Sequence, residues 1–251
     1  QQLMSRDLGT RPPVLEVSGA SRAGEFTGIS FVIRQGEVVG LIGLLGSGRT
    51  ELALSLFGMT PLARGEVKID GVPVCLSSNR RAIRAGLAYV SEDRLKLGLN
   101  LRQSIADNVS IVALDRLRGR GGFTPPGRRE ALARRWIARL GIKAPLIRAA
   151  VQTLSGGNQQ RVVLAKWLAT KPRILLLDSP TVGVDISNKQ GIYAVIREFA
   201  AAGVAILLIS DEVPEVYFNC HRILHMRAGR IASEFVPGVI SEPALAEAIN
   251  A

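Results

Sequence analysis

One stretch, from Glu37 to Phe57, limits the possible folds of this chain more than any other. It opens with Val38 to Ile42, a short apolar run typical of a strand buried on both faces. The following residues, Gly43 to Thr50, read Gly-Leu-Leu-Gly-Ser-Gly-Arg-Thr and match the phosphate-loop pattern G-x-x-x-x-G-K-[ST] except at Arg49. Glu51 to Phe57 then reads as the opening of a helix. The sequence therefore predicts a strand, a glycine-rich loop and a helix in succession.

The chemistry that such a loop favours is anion binding. Glycines let the backbone turn tightly and point its N–H groups into a cavity, and the N-terminus of the next helix favours a negative charge. We expect Thr50 to offer its hydroxyl to a Mg²⁺ ion that accompanies the bound phosphate. A glycine-rich turn with no ligand is the alternative reading of this motif alone. The predicted phosphate-binding residues are Gly43, Leu44, Leu45, Gly46, Ser47, Gly48, Arg49 and Thr50.

The composition is that of a globular protein with one or two domains. Of 251 residues, 47% are hydrophobic and 21% are charged. The longest apolar run, Phe199 to Ile209, is well short of the ~20 residues of a membrane helix. The two cysteines give no disulfide framework.

The net charge of +11 is concentrated in one segment, between Asp115 and Arg148. A basic cluster of this kind can contact nucleic acid or anionic headgroups, but a solvated helix face is the plainer interpretation. Leu132, Trp136 and Leu140 form an apolar stripe at helical spacing, so we predict that Trp136 is a core residue and not a base-stacking platform.

Two further segments point to the same phosphate chemistry. Leu154 to Gln160 reads Leu-Ser-Gly-Gly-Asn-Gln-Gln and precedes a predicted helix, so it again offers bare backbone N–H groups. Arg173 to Leu177 is a predicted buried strand that ends in Asp178, the usual Mg²⁺-side partner of a phosphate loop. Strands alternating with helices predict a mostly parallel sheet. The hairpin predicted around Asp70-Gly71 indicates an additional antiparallel layer.

The phosphate loop, the LSGGNQQ segment and the Leu-Leu-Leu-Asp strand together resemble the motifs of ABC ATPases, over nearly everything from Val14 to Phe235. The Gly-Arg-Thr-Glu-Leu run, the block from Tyr89 to Arg94 and the Asn-Gln-Gln ending are similar to one subgroup. That subgroup is the second nucleotide-binding half of tandem ATPase subunits of bacterial simple-sugar importers of the ribose, xylose and galactose type. The resemblance implies an α/β fold with a RecA-like P-loop NTPase core, an antiparallel β layer and a helical subdomain.

The same resemblance implies a domain organisation. Residues 1–13 would be the linker from a missing first half, and residues 14–251 would be the nucleotide-binding domain. Within that domain, the core would take about 14–98 and 151–251, and the helical subdomain about 99–150.

The family also implies partners and cofactors. Two such domains, one of them the first half of the same subunit, would form a head-to-tail dimer with ATP and Mg²⁺ at the interface. The phosphate loop, with Thr50 and Asp178 as metal ligands, would hold one nucleotide, and Ser155, Gly156 and Gly157 would complete the partner's site. We expect peripheral attachment to transmembrane permease subunits at the cytoplasmic face of the inner membrane, with no nucleic acid as partner. A non-transport ABC protein acting on nucleic acid or ribosomes, and a half-site that binds no nucleotide, are the alternatives.

Four residues depart from the usual hydrolytic pattern. Arg49 replaces the loop lysine, and Glu92 replaces the glutamine that contacts Mg²⁺ and the attacking water; both look typical of the subgroup. Ser179 replaces the glutamate that orients that water, and Asp211 replaces the histidine near the γ-phosphate. We therefore expect a domain that binds ATP and hydrolyses it weakly. Phe26 is a weak candidate for stacking on the adenine.

Overall fold

The computed structural model describes residues 8–119 and 122–250 of the chain. The chain divides into two compact units. The first comprises Gln1–Tyr89, Arg173–Ser179 and Ile196–Ala251, and the second comprises Val90–Pro172 and Pro180–Val195. Within the described ranges, no helix has both the length and the apolar character needed to cross a membrane.

The strands fall close to where the hydrophobic pattern predicts them. The predicted run Val38–Ile42 is confirmed at both ends and forms a short, continuously buried strand. The strands are β1 (Pro13–Arg22), β2 (Phe26–Arg34), β3 (Val38–Ile42), β4 (Arg64–Ile69), β5 (Val72–Pro73), β6 (Leu87–Val90), β7 (Ile174–Asp178), β8 (Ala205–Ile209), β9 (Arg222–Arg227) and β10 (Arg230–Phe235).

The helices alternate with the strands in the first part of the chain and become more frequent in the middle. A single π-helical turn at Arg94–Gly98 follows β6. The α-helices are α1 (Arg49–Leu56), α2 (Asn79–Arg84), α3 (Ile105–Ser110), α4 (Leu114–Leu117), α5 (Pro126–Arg139), α6 (Gly156–Leu168), α7 (Ile186–Ala201), α8 (Val213–Asn219) and α9 (Glu242–Asn250).

The first unit contains the predicted antiparallel layer, with strand order β2-β1-β4-β5. The predicted hairpin is confirmed, since Asp70 and Gly71 both adopt positive φ, 52° and 75°, between β4 and β5. Strand β1 pairs with both β2 and β4 in this layer. It continues past Ser18 and Gly19 through a register irregularity, where Gly19 takes a φ of 62°.

The second sheet has the order β10-β9-β3-β8-β7-β6 and is largely parallel around β3. Strand β3 pairs in parallel with β8 and β9, and β7 pairs in parallel with β8. Every residue of β3, β7 and β8 is buried, which explains their unbroken apolar sequences. Because Leu41 and Asp178 both align with Ile209, the ends of these three strands lie at one edge of the sheet.

The second unit is mainly helical. Helix α5 buries Ala133 and Trp136, and its C-cap Leu140 is buried as well, whereas Leu132 is only half-buried. The core position of Trp136 is thus confirmed, and Arg134 and Arg135 lie on the solvated face of this helix. The predicted linker falls partly on residues 1–7, which lie outside the described residues. Its remaining part leads into β1, and Arg11 there donates to the Gln35 carbonyl.

Candidate functional site

The phosphate loop of the first unit lies between β3 and α1, and its shape depends on glycine. Gly46 and Gly48 have φ angles of 78° and 95°, a region that other residues rarely adopt. A Cβ at Gly43 would lie 2.2 Å from the Met226 carbonyl oxygen, so no side chain fits there. Helix α1 begins at Arg49, slightly before the predicted Glu51, because Gly48 is its N-cap.

The loop presents the features expected of an anion site. Leu44, Leu45 and Gly46 are exposed at its tip, and Thr50 lies in the first turn of α1. The Ser47 hydroxyl is buried and has no hydrogen-bond partner among the described residues. A buried hydroxyl without a partner leaves polar capacity for a ligand at this loop, and the following helix N-terminus favours an anionic one.

Asp178 ends β7 and lies within hydrogen-bonding reach of the phosphate-loop helix. Its side chain is 1% exposed, and its Oδ1 accepts a bond of 3.3 Å from the Thr50 hydroxyl. The Tyr89 hydroxyl donates to Oδ2 at 3.0 Å. The structure therefore brings the two predicted metal ligands, Thr50 and Asp178, together. Hydroxyl and carboxylate oxygens are the donors that Mg²⁺ prefers, so this pair fits that ion.

Tyr89 is a site residue that sequence reasoning missed. It lies on β6, directly before Val90, and it was noted only as part of the Tyr89–Arg94 block. The signal was a phenol in an otherwise aliphatic buried strand, because a buried tyrosine hydroxyl usually requires a partner.

Ser179 follows Asp178 in an unusual backbone conformation. Its φ is 46°, in the left-handed region, and its N–H donates to the Ile209 carbonyl at 2.9 Å. A non-glycine residue in this region is strained and persists only where its surroundings hold it, a pattern frequent at functional sites. The backbone bond to β8 fixes the point from which the side chain at this position projects.

Arg49 links the phosphate loop to the end of β8. Its Nη1 donates to the Ser210 carbonyl at 2.5 Å, directly before the exposed Asp211. The Ser210 hydroxyl in turn donates to Glu215 at 2.7 Å and accepts from the Glu212 N–H at 3.0 Å. The loop that carries Asp211 is thus held in place through Ser210, a residue that the sequence analysis did not single out.

The signature residues lie in the second unit, at the start of α6. Ser155 is the N-cap and is exposed, and its hydroxyl accepts a bond of 3.0 Å from the Asn158 side chain. A Cβ at Gly156 would lie 3.1 Å from both Arg94 Nη2 and the Gly183 carbonyl oxygen. A Cβ at Gly157 would lie 3.1 Å from the Asn188 amide nitrogen. Both glycines therefore have close neighbours within their own unit.

Glu92 also belongs to the second unit, where it is exposed between β6 and the π-helical turn. The next residue, Asp93, caps this turn by accepting a bond of 3.0 Å from the Lys96 N–H. That bond lowers the pKa of the Asp93 carboxyl. The candidate residues are thus divided between the units: Gly43–Thr50, Asp178, Ser179 and Asp211 in the first, and Glu92 and Ser155–Gly157 in the second.

Phe26 was the weak candidate for adenine stacking, and this interpretation is wrong. Its side chain is only 2% exposed and is one of the largest fully buried groups of the first unit. A ring buried in the core cannot present its face to a base.

Comparison with known proteins agrees with this geometry. Residues 26–182 match the family model for ABC transporters. The ribose import ATP-binding protein RbsA 1 of Agrobacterium fabrum is 47% identical over 224 residues, which cover 89% of this chain and 44% of that protein. The chain spans about half the length of the curated relatives it matches.

Solved structures share the fold at lower sequence identity. CbiO1 of Clostridium perfringens, part of the ABC transporter complex cbiONQ, is 22% identical with a TM-score of 0.76, over 95% of this chain and 93% of that one. A dimeric ATP-binding cassette in a post-hydrolysis state, bound to ADP and phosphate, is 21% identical with a TM-score of 0.73, over 88% of this chain and 98% of that one. The predicted α/β P-loop NTPase fold of the ABC cassettes is therefore confirmed, and this chain belongs to the ABC transporter ATPase family.

Proposed function

We propose that this chain is the second nucleotide-binding half of an ATP-binding subunit that drives the import of a simple sugar of the ribose type. The observation that carries the ATPase role is the contact between Thr50 and Asp178 beside the phosphate loop, with oxygens 3.3 Å apart. The sugar-import role is supported by the relative from Agrobacterium fabrum, which is named for ribose import. The span of about half that relative's length supports a tandem subunit.

The residues of the first unit would hold the nucleotide. Backbone N–H groups of Gly43–Thr50 would bind the phosphates of ATP, and the Arg49 guanidinium would neutralise part of their charge. Thr50 and Asp178 would hold Mg²⁺, and the ion when bound would neutralise charge on the phosphate oxygens. Arg49 would have to exchange or share its bond to the Ser210 carbonyl in order to reach a phosphate.

The hydrolytic machinery of this half is incomplete in this proposal. A serine at position 179 cannot take a proton from water at neutral pH without a partner base, and loss of such a base typically costs about 10²–10⁴ in rate. Asp211 adds like-charge repulsion near the γ-phosphate, where a histidine would donate a hydrogen bond. The half would therefore bind ATP and hydrolyse it slowly.

The partner is the first ATPase half of the same subunit, arranged head to tail. The intact Ser155, Gly156 and Gly157 would complete the partner's nucleotide site, where hydrolysis is efficient. The second unit would face the permease subunits at the cytoplasmic side of the inner membrane, and the arginines of α5 would lie near their loops and the anionic headgroups.

The test is reconstitution of the longer subunit that contains this chain, together with its permease, in lipid vesicles. We expect ATP-dependent uptake of labelled ribose or a related sugar, and slow ATP turnover by the 251-residue chain alone. Turnover by the chain alone at about one per second or faster, where ordinary enzymes begin, would contradict the incomplete site. Steeply salt-dependent binding of RNA without sugar uptake would favour the nucleic-acid alternative.

A further inference from the structure

Arg94 lies in the second unit where three segments meet: the π-helical turn, the first turn of α6 and the residues around Val182. Its Nη1 donates to the Val182 carbonyl at 2.7 Å. A Cβ at Gly156 or at Gly183 would lie 3.1 Å from Nη2. The guanidinium plane therefore fills the space that two glycines leave open, one on the signature and one on the segment that follows Ser179.

The backbone of Arg94 is itself anchored to the signature helix. The Gly98 carbonyl, at the end of the same turn, accepts a hydrogen bond from the buried Lys166 of α6. A Cβ at Gly98 would lie 3.2 Å from Val163, also on α6. The turn thus packs directly on α6, and Arg94 extends this contact to Val182 and Gly183.

This arrangement carries local electrostatic costs. A cation beside the first residue of α6 is disfavoured by the partial positive charge of a helix N-terminus. The Nε of Arg94 is also buried and has no hydrogen-bond partner within the described part of the chain. Buried polar atoms without a partner and locally unfavourable charges are often found at functional sites. The contact is thus kept despite a local cost, which points to a role in placing the signature.

We propose that Arg94 is a positioning residue that holds Ser155–Gly157 in a fixed relation to Val182–Gly183. This inference rests on the proposed function, in which the signature completes the nucleotide site of the partner half. Loss of the guanidinium would let the signature shift, and turnover at the partner's site would fall. We expect ATP affinity to change little, because the substitution leaves the phosphate loops of both halves unaltered.

The experiment compares Arg94→Met, Arg94→Lys and the exposed control Arg102→Met in the longer tandem subunit. For Arg94→Met we expect kcat to fall about 10-fold to 100-fold, the loss that small misplacements of reacting groups produce. We expect KM for ATP to stay within about twofold, since the lost interaction is not one of ground-state binding. Lysine keeps the positive charge but not the planar fork of the guanidinium. We therefore expect the kcat of Arg94→Lys to lie between that of Arg94→Met and that of the unmodified subunit. Arg102→Met should match the unmodified subunit.

Thermal unfolding of each variant separates positioning from folding. An unchanged kcat for Arg94→Met would overturn the inference. So would an equal loss in Arg94→Lys and Arg94→Met that is matched by a fall in Tm, because that pattern belongs to a structural role. If Arg94→Met does not fold, the test relies on Arg94→Lys. A kcat of Arg94→Lys equal to that of the unmodified subunit would then overturn the inference. If the unmodified subunit shows no ATP turnover, the proposed function fails first, and the inference fails with it.

Discussion

At the scale of single residues, Asp178 is the buried carboxylate of the proposed nucleotide site. A buried carboxylate is costly unless hydrogen bonds compensate for lost hydration, and Thr50 and Tyr89 supply one bond to each oxygen. The two hydroxyls come from different elements, α1 and β6. They hold the carboxylate in one orientation: Tyr89 would be the outer partner that orients this proposed metal ligand, and Thr50 would itself share the ion.

Thr50→Ala should therefore weaken ATP binding only when Mg²⁺ is present. The change removes a proposed metal ligand together with a bond to Asp178, and we expect a loss of about 10-fold in affinity, the low end of the range for disturbed metal sites. Thr50→Ser, which keeps the hydroxyl, is the matched control. Isothermal titration with ATP, in Mg²⁺ and in EDTA, measures the affinity of each variant. An equal loss in EDTA would show that Thr50 does not act through the metal.

At the scale of elements, the contact between the π-helical turn and α6 depends on a buried lysine. Lys166 is 6% exposed, donates to the Gly98 carbonyl, and lies 4.9 Å above the Trp167 ring. Burial disfavours the ammonium form and lowers its pKa from 10.5 to about 8. Keeping the Lys166 ammonium charged in this buried position therefore lowers the free energy of unfolding.

This cost predicts a pH dependence of stability. Below about pH 8 the lysine is charged in both the folded and the unfolded states, so the full penalty of burying it is present. Between pH 8 and 10.5 the unfolded state binds more protons, so the free energy of unfolding should rise with pH, by on the order of 3 kcal/mol. Lys166→Met should abolish this rise in the free energy of unfolding. Lys143 is exposed, so Lys143→Met should leave the rise unchanged. Urea unfolding of the chain across this pH range tests the difference, and parallel pH curves for all three proteins would contradict the assignment.

The elements differ in how well the sequence predicts them, and the physical reason is how local each signal is. Strands β3 and β7 and the turn at Asp70-Gly71 follow from apolar runs and from turn residues a few positions apart. The bond between Tyr89 and Asp178 joins residues 89 positions apart, and the bond from Arg49 to Ser210 joins residues 161 positions apart. Such contacts depend on which strands become neighbours, which no local pattern encodes.

At the scale of the whole molecule, the signature should act on a nucleotide that this chain does not bind. In the proposed tandem subunit, Gly157→Asp should abolish most ATP turnover, because it would add a negative charge to the segment that completes the partner's ATP site. Gly157→Ala is the control, since its Cβ meets the same Asn188 side chain at 3.1 Å but adds no charge. We expect a much smaller loss for alanine in steady-state ATPase assays. If aspartate left turnover intact, the assignment of the signature to the partner's site would be wrong.

In the proposed tandem subunit, the nucleotide site of this half can itself be altered at Ser179. Ser179→Glu should raise hydrolysis there, measured with the catalytic glutamate of the partner half removed. The backbone of residue 179 is held by its bond to the Ile209 carbonyl, so a new carboxylate would project from a fixed point close to Asp178. Ser179→Gln, with the same size and no charge, is the matched control and should stay at the level of the serine protein.

Ser179→Glu should restore hydrolysis only in part. Asp211 would still repel the γ-phosphate, and Arg49 would still be shared with the Ser210 carbonyl. Adding Asp211→His should therefore raise turnover more in the Ser179→Glu protein than in the serine protein. Such non-additivity is expected of groups that act on one site. If ATP still bound but neither the single nor the double change raised turnover, Ser179 and Asp211 would not be the limiting defects. The limitation would then lie in closure of the dimer or in the partner's signature, because those are the remaining parts that this nucleotide requires.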